Sequence, residues 1–163
     1  MTDLDDKISK IYGEKLRIRV SGVCIKDEKI LLVHHKSLGE TGSLWAPPGG
    51  GMEYGESAEE ALKREYKEET GLSIEVDRFL FVHEYLAPPL HGIELFFLVR
   101  SNNDTIIIGE DPEMDKNNQI ITSVGFHDLK ALQSQKMKSL HYVLQHVDSV
   151  ERLINLKGYF KFH

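Results

Sequence analysis

The chain has 163 residues, 40% of them hydrophobic, and a formal net charge of −6 at pH 7, a length that suits one domain better than two. The acidic balance argues against broad contact with phosphate backbones, because non-specific nucleic-acid binding depends on lysine and arginine. The single cysteine, Cys24, excludes an internal disulfide and is expected to act as a small core residue in the apolar run VSGVCIKDEKILLV.

The N-terminal stretch MTDLDDKISKIYGEK has neither the basic start nor the apolar centre of a signal peptide, and no run approaches membrane-spanning length. A cytoplasmic location without a membrane partner is expected. Leu4, Ile8 and Ile11 recur at helical spacing and predict a short helix ending at Gly13, packed as an outlier on the main body. KLRIRVSGVCI and ILLVHH, joined by KDEK, read as a β-hairpin. KSLGETGSLWAPPGGG reads as a loop with Trp45 as its apolar anchor. A helix follows from about Ser57 to Thr70, with Gly71 placed to cap it.

LSIEVDRFLFVHEYL, HGIELFFLVR, DTIIIGE and QIITSVGFH are four strand candidates. Asp128 is placed to N-cap LKALQS, and a last helix is predicted from about Lys138 to Ile154, with Leu140, Val143, Leu144, Val147, Val150 and Ile154 on one stripe. The tail LKGYFKFH reads as a terminal strand or an ordered arm. Without internal repeats, the pattern is an α+β or layered α/β/α domain around a mixed sheet, covering residues 1–163.

The segment GGGMEYGESAEEALKREYKEETGL, residues 49–72, holds seven glutamates, and they fall into two populations. At 3.6 residues per turn, Glu65 and Glu69 lie within about 20° of Ala58, on the arc shared with Ala61 and Leu62, and Glu68 lies about 80° away on its flank. Glu59, Glu60, Lys63 and Lys67 fall on the opposite, solvated face, where Glu59 and Lys63 form a fair i,i+4 pair. Inward carboxylates are costly to desolvate unless paired or bound to metal. Three of them at i, i+3 and i+4 raise one another's pKa values unless a cation compensates. A hard ion such as Mg²⁺ fits that need, and the glycines of PPGGG let backbone approach an ion or phosphate closely. Arg64, beside the carboxylate face, is placed either to bridge back to Glu56 or to pair with Glu60 or Glu68 on the surface.

Gly50, five residues, Glu56, seven residues and then REYKEETGL resembles the Nudix box of the MutT-like Nudix hydrolases over 23 consecutive positions, Gly50 to Leu72. One position departs: Tyr66 stands where the family usually has an aliphatic residue, a packing variation at the edge of the apolar arc. The resemblance extends from about Lys15 to Leu132. It implies the Nudix fold, an α/β/α sandwich around a mixed β-sheet, and Mg²⁺-dependent hydrolysis, with Mn²⁺ an alternative ion, of a nucleoside diphosphate linked to a group X. The resemblance makes Glu68 and Glu69 metal ligands, Glu65 a ligand or general base, and the Gly49 carbonyl a further ligand, with Glu56 and Arg64 as an orienting bridge. A later carboxylate often joins them in this family; in GEDPEMD, Glu110 has the best separation from the box, with Asp111 and Glu113 as alternatives and an acidic surface turn the plainer reading.

The resemblance leaves the substrate to residues outside the box. A (d)NTP is the first expectation, with sugar nucleotides, ADP-ribose, dinucleoside polyphosphates, RNA caps or a non-catalytic nucleotide sensor as alternatives. Trp45, Tyr54, Tyr85 and Phe96 are candidates to stack on a base, although core packing is commoner for each. One of His34 and His35 is expected to face the cleft. Arg17, Arg19 and Lys36 are the nearest basic residues for phosphate, although a solvated strand face is the plainer reading for them, while His91 and Glu94 receive no role. No organic cofactor or stable nucleic-acid partner is expected, and a homodimer is a reasonable expectation from the resemblance.

Overall fold

The computed structural model describes residues 3–112 and 114–162. The chain opens with helix α1 (Asp3–Tyr12) and the hairpin strands β1 (Lys15–Lys26) and β2 (Lys29–Lys36). Asp27 and Glu28 make the tight turn with φ of 50° and 61°, the doubly left-handed backbone that two-residue hairpins favour. Only Ile25–Ile30 and Lys26–Lys29 pair between β1 and β2. Beyond them the strands part, and β1 pairs in parallel with β6 (Leu90–Ser101) while β2 pairs with β7 (Ile121–His127).

The edge of β1 that β2 leaves is taken by β4 (Gly49–Gly51), antiparallel to Arg19, Val20 and Ser21. The segment expected as loop thus contains two short strands, β4 and β3 (Ser43–Ala46), the latter paired with β2. Strand β5 (Ile74–Ala87) and β6 form a long antiparallel pair, and the terminal β8 (Gly158–Phe160) adds in parallel to β5, so the tail is a strand. The result is a mixed eight-stranded sheet.

Both faces of this sheet are covered. In β2, Leu31 packs toward α2 (Ala58–Thr70) with Ala61, Leu62, Tyr66, Val20 and Val99. Its neighbours Ile30 and Leu32 face the other side, with Phe81, Phe96 and the C-terminal residues Leu140, Val143, Leu144 and Leu153. Alternate residues of a strand point to opposite faces, and helices on both make an α/β/α sandwich. Cys24 lies in the α2-side core, and burial pushes its thiol pKa up, which suits an inert packing residue.

Four further expectations change. DTIIIGE is not a strand: the Ile107 and Gly109 amides donate to the carbonyls of Thr70 and Glu69, both at 2.9 Å. The segment satisfies the orphan carbonyls at the end of α2 instead of a sheet ladder. The single helix expected over 138–154 is broken into a 3₁₀ turn at Met137–Ser139, α4 (Tyr142–Gln145) and α5 (Val150–Ile154), preceded by α3 (Leu129–Lys136). His141 caps α4 by accepting from the Val143 amide, and Ser149 caps α5 by accepting from Arg152. The apolar stripe was a true sign of burial but not of one continuous helix. Tyr66, placed at the edge of the apolar arc, is fully buried, and its hydroxyl donates to the Gly22 carbonyl at 2.5 Å. In α1, Ile8 is buried and Ile11 exposed, while the side chain of Leu4 lies outside the described residues. Ile8 and Tyr12 border the main cleft, which makes α1 a wall of the cleft and not an outlier.

Candidate active site

Local rules place α2 and its carboxylates. Ser57 accepts from the Glu60 amide, and Glu60 accepts from the Ser57 amide, a reciprocal capping box. Gly71 ends the helix with φ of 73°, a left-handed cap that favours glycine. On the solvated face Lys63 donates to Glu59 at 2.7 Å.

On the inner face, Glu69 is only 6% exposed, and the Gly49 amide donates to its Oε2 at 2.9 Å. The glycine strand β4 lies directly over this face. A Cβ at Gly50 would sit 2.4 Å from the Glu65 carboxyl carbon, so any side chain here would push the Glu65 carboxylate out of its place.

Arg64 ties loop and helix together. Its Nε and Nη2 donate to the two oxygens of Glu56 at 3.1 and 2.7 Å, the fork geometry that makes arginine–carboxylate pairs strong. Nη2 also donates to the Gly51 carbonyl at 3.0 Å, and Nη1 to Glu65 and Glu68 at 2.9 and 3.3 Å. Of the two placements open from spacing, Arg64 adopts the bridge to Glu56 together with the contact to Glu68. Glu60 is taken by the capping box. Arg64's hydrogen bonds hold the Glu56 pKa below the ordinary carboxylate value.

One guanidinium does not compensate the whole cluster. Burial raises the pKa of Glu65 against the pull of Arg64, and burial raises that of Glu68, with repulsion from Glu53 and Asp111 adding to it. Burial and then repulsion from Glu65 push Glu69 well above the ordinary range, against the Gly49 amide.

In the later loop, Asp111 lines the cleft, whereas Glu110 is exposed and does not. Glu113 lies outside the described residues. The loop is clamped by Gln119, whose Oε1 accepts from the Asp111 amide at 2.6 Å and whose Nε2 donates to the Asp111 and Met114 carbonyls at 3.0 and 2.9 Å. Asp111 is thereby the loop carboxylate turned toward the box, a choice that sequence separation alone did not make.

Arg17 and Arg19 on β1 line the same cleft, and Lys36 does not. Of the two histidines, His35 lines it; burial, helped by Arg19 and His34, lowers its pKa to about 4. His34 instead bonds Thr122 and Ser43. Among the aromatic candidates, Trp45 and Phe96 are core residues and Tyr54 is fully exposed. Tyr85 lines the cleft and stacks on Tyr142 with ring centroids 5.7 Å apart.

Sequence reasoning missed a second polar cluster in the cleft. Glu94, buried on β6, accepts from Ser21 Oγ at 2.6 Å and from His141 Nε2 at 2.8 Å, with His83 Nδ1 3.6 Å away. Burial acts to raise its pKa, but the histidine contacts dominate and hold it well below the ordinary value. The available signal was parity: Glu94 shares the inward alternation of Phe96 in HGIELFF, and a carboxylate at a core position demands a partner. His91, by contrast, pairs with Glu84 at 2.8 Å.

A family model described as NUDIX domain matches residues 15–145. The chain is 38% identical over 96 residues to the ADP-ribose pyrophosphatase of Methanocaldococcus jannaschii, covering 58% of this chain and 56% of that protein. It is 31% identical over 86 residues to the 8-oxo-dGTP diphosphatase of Proteus vulgaris, covering 53% and 77%. The chain therefore spans little more than half the length of the first of these relatives. In fold it is similar to the crystal structure of an ADP-ribose pyrophosphatase from Streptococcus suis, with a TM-score of 0.59, 20% identity, and coverage of 88% and 98%. Among the described residues, no helix is long and apolar enough to cross a membrane.

Proposed function

The chain belongs to the Nudix family, and from that premise we propose that it is a Mg²⁺-dependent pyrophosphohydrolase acting on a nucleoside diphosphate linked to a further group. The observation that carries this reading is the inward set Glu65, Glu68 and Glu69 beneath the glycine strand, Glu69 buried and the other two half-buried, with pKa values raised first by burial and then by neighbouring carboxylates. Nudix hydrolases generally use divalent metals, and an all-oxygen donor set of this kind fits a hard divalent ion.

Glu68 and Glu69, with Glu65 and the Gly49 carbonyl, are the groups that would hold the ion. Such an ion would supply charge neutralisation for the diphosphate and a more acidic water. Glu56 and Arg64 fix the loop relative to the helix, so the ligands keep their spacing without reorganisation. Glu65 is the proposed general base: its raised pKa moves it toward the operating pH, where a base accepts a proton most effectively. Asp111 is the alternative base, since it is the later-loop carboxylate that lines the cleft. Arg17 and Arg19 supply positive charge for the phosphates, and the Tyr85–Tyr142 stack offers an aromatic face for a base.

The two curated relatives carry different substrate names, ADP-ribose and 8-oxo-dGTP, and both fit a nucleoside diphosphate linked to X. We take a (d)NTP or related nucleotide as the first substrate class and ADP-ribose as the second reading, favoured by the more similar of these relatives. A panel of dNTPs, NTPs, ADP-ribose, NADH, dinucleoside polyphosphates and GDP-sugars, assayed with Mg²⁺ for product nucleotides, tests the proposal. A nucleoside monophosphate with pyrophosphate supports the first class, and AMP with ribose 5-phosphate supports the second. No Mg²⁺-dependent cleavage of any member would overturn the enzymatic reading in favour of a nucleotide sensor.

A further inference from the structure

We propose that His83, Glu94 and His141 form a second metal site, distinct from the box carboxylates and selective for a borderline transition-metal ion such as Zn²⁺. The potential ligand atoms of these three residues lie within 4.8 Å of one another. They come from β5, β6 and the residue that caps α4, so three separate elements hold the constellation. Two imidazoles and one carboxylate are a donor set that zinc takes readily and that Mg²⁺ disfavours.

Proton bookkeeping shows why a cation suits the centre. The Phe162 carbonyl can only accept, so His83 Nε2, 3.3 Å away, carries the proton toward it. In the neutral imidazole Nδ1 then keeps its lone pair, fully buried and without a hydrogen-bond partner, facing Glu94 Oε2 at 3.6 Å. A buried lone pair aimed at a buried carboxylate calls for positive charge between them, which either a proton on Nδ1 or a bound cation supplies. The hydrogen bond from Nε2 to a backbone carbonyl is also the outer support that metal-binding histidines usually have.

His141 is arranged in the opposite sense. Its Nδ1 accepts from the Val143 amide at 3.3 Å, so Nε2 carries the ring proton and donates to Glu94 Oε2 at 2.8 Å; an ion bound at Nε2 would require that proton to move to Nδ1, at the cost of the Val143 contact. Tetrahedral zinc with bonds of about 2.0–2.1 Å separates its ligand atoms by about 3.3 Å. The His83–Glu94 spacing already approximates that value, and the His141–Glu94 contact needs to open by about half an ångström. Ser21 Oγ, donating to Glu94 Oε1 at 2.6 Å, fixes the carboxylate and leaves Oε2 for the ion. Arg19 bears on Glu94 electrostatically and opposes any additional cation, which favours an ion held by nitrogen coordination over one held by charge alone. Glu94 and His141 line the cleft and His83 does not, so a fourth position on the cleft side is open to water or substrate.

The test does not depend on hydrolysis and stands whether or not the proposed activity does. The Glu68→Gln/Glu69→Gln double variant removes the competing box ligands. Stripped of metal and titrated with Zn²⁺ in millimolar Mg²⁺, it is expected to bind one Zn²⁺ per chain. Co²⁺ in its place should give the intense visible bands of tetrahedral coordination. Adding His83→Ala or His141→Ala should weaken Zn²⁺ by about 100-fold or more. His141 is partly exposed, so its variant remains informative if the buried His83→Ala chain does not fold. Absence of Zn²⁺ binding by the double variant, or an affinity unchanged when His141 is replaced, overturns the proposal and leaves the cluster a buried carboxylate–histidine pair.

Discussion

Glu69 and Glu94 are both 6% exposed and both border the same cleft, yet their pKa values move in opposite directions. Glu69 has one backbone amide as partner and a second carboxylate as neighbour, and it is pushed well up. Glu94 has a serine hydroxyl and two imidazoles around it and is held well down. Burial alone therefore does not decide the ionisation of a carboxylate; the partners supplied by neighbouring elements do. The box carboxylates are left short of partners by the chain, whereas Glu94 is satisfied in part by its neighbours.

That contrast sets an order of expected effects. Glu69→Gln should lower turnover on any cleaved substrate by about 10³-fold or more, while circular dichroism and thermal melts show the fold retained and metal-free stability unchanged or higher, because repulsion with Glu65 is relieved. Arg64→Lys, which keeps the charge but loses the fork on Glu56, should cost turnover about 10–100-fold, read from steady-state kinetics at saturating Mg²⁺. Glu94→Gln should do the reverse of Glu69→Gln and destabilise the metal-free chain by about 2 kcal/mol, measured by denaturant unfolding.

The pH dependence sharpens the same comparison. Glu69 has a folded pKa above its unfolded value, so the folded state binds the extra proton between the two. Holding this carboxyl in the fold therefore costs stability above about pH 4.5, and the cost shrinks as pH falls toward that value. The Tm advantage of Glu69→Gln over the metal-free parent should thus shrink on acidification, and the contribution of His35 cancels in the difference. Glu94 has a depressed folded pKa, so its contribution is present above about 4.5 and lost below it. The Tm deficit of Glu94→Gln should accordingly persist down to that pH and close only below it. The smallest effect is expected for Tyr66→Phe, which leaves the Gly22 carbonyl without its hydroxyl donor and should cost about 1 kcal/mol with turnover unchanged.

Much of α2 was legible in sequence because its determinants are local. Ser57, Glu60 and Gly71 act within one turn of the helix ends, and the angular separation of Glu65 and Glu69 from Glu59 and Glu60 follows from helix geometry alone. The Glu94 cluster was not legible, since residues 21, 83, 94 and 141 meet through the pairing of β6 with both β1 and β5 and the placement of α4. DTIIIGE has the composition of a strand, but its amides are claimed by the end of α2, a tertiary competition that local propensity does not register. The last helix failed for a related reason: the apolar spacing recorded burial, while His141 and Ser149 acted as caps inside it. Glu110 and Asp111 are adjacent, so their difference in orientation rests on the Gln119 clamp, which spacing could not reveal.

The most direct measurement is a calorimetric titration of Mg²⁺ into the metal-free chain and its Glu69→Gln variant at neutral pH, with a non-hydrolysable nucleoside diphosphate analogue present. The account predicts saturable binding to the parent and its loss in the variant, at equal folded fractions. Equal Mg²⁺ affinity in the two proteins would contradict the assignment of the inward carboxylates as the metal-holding site.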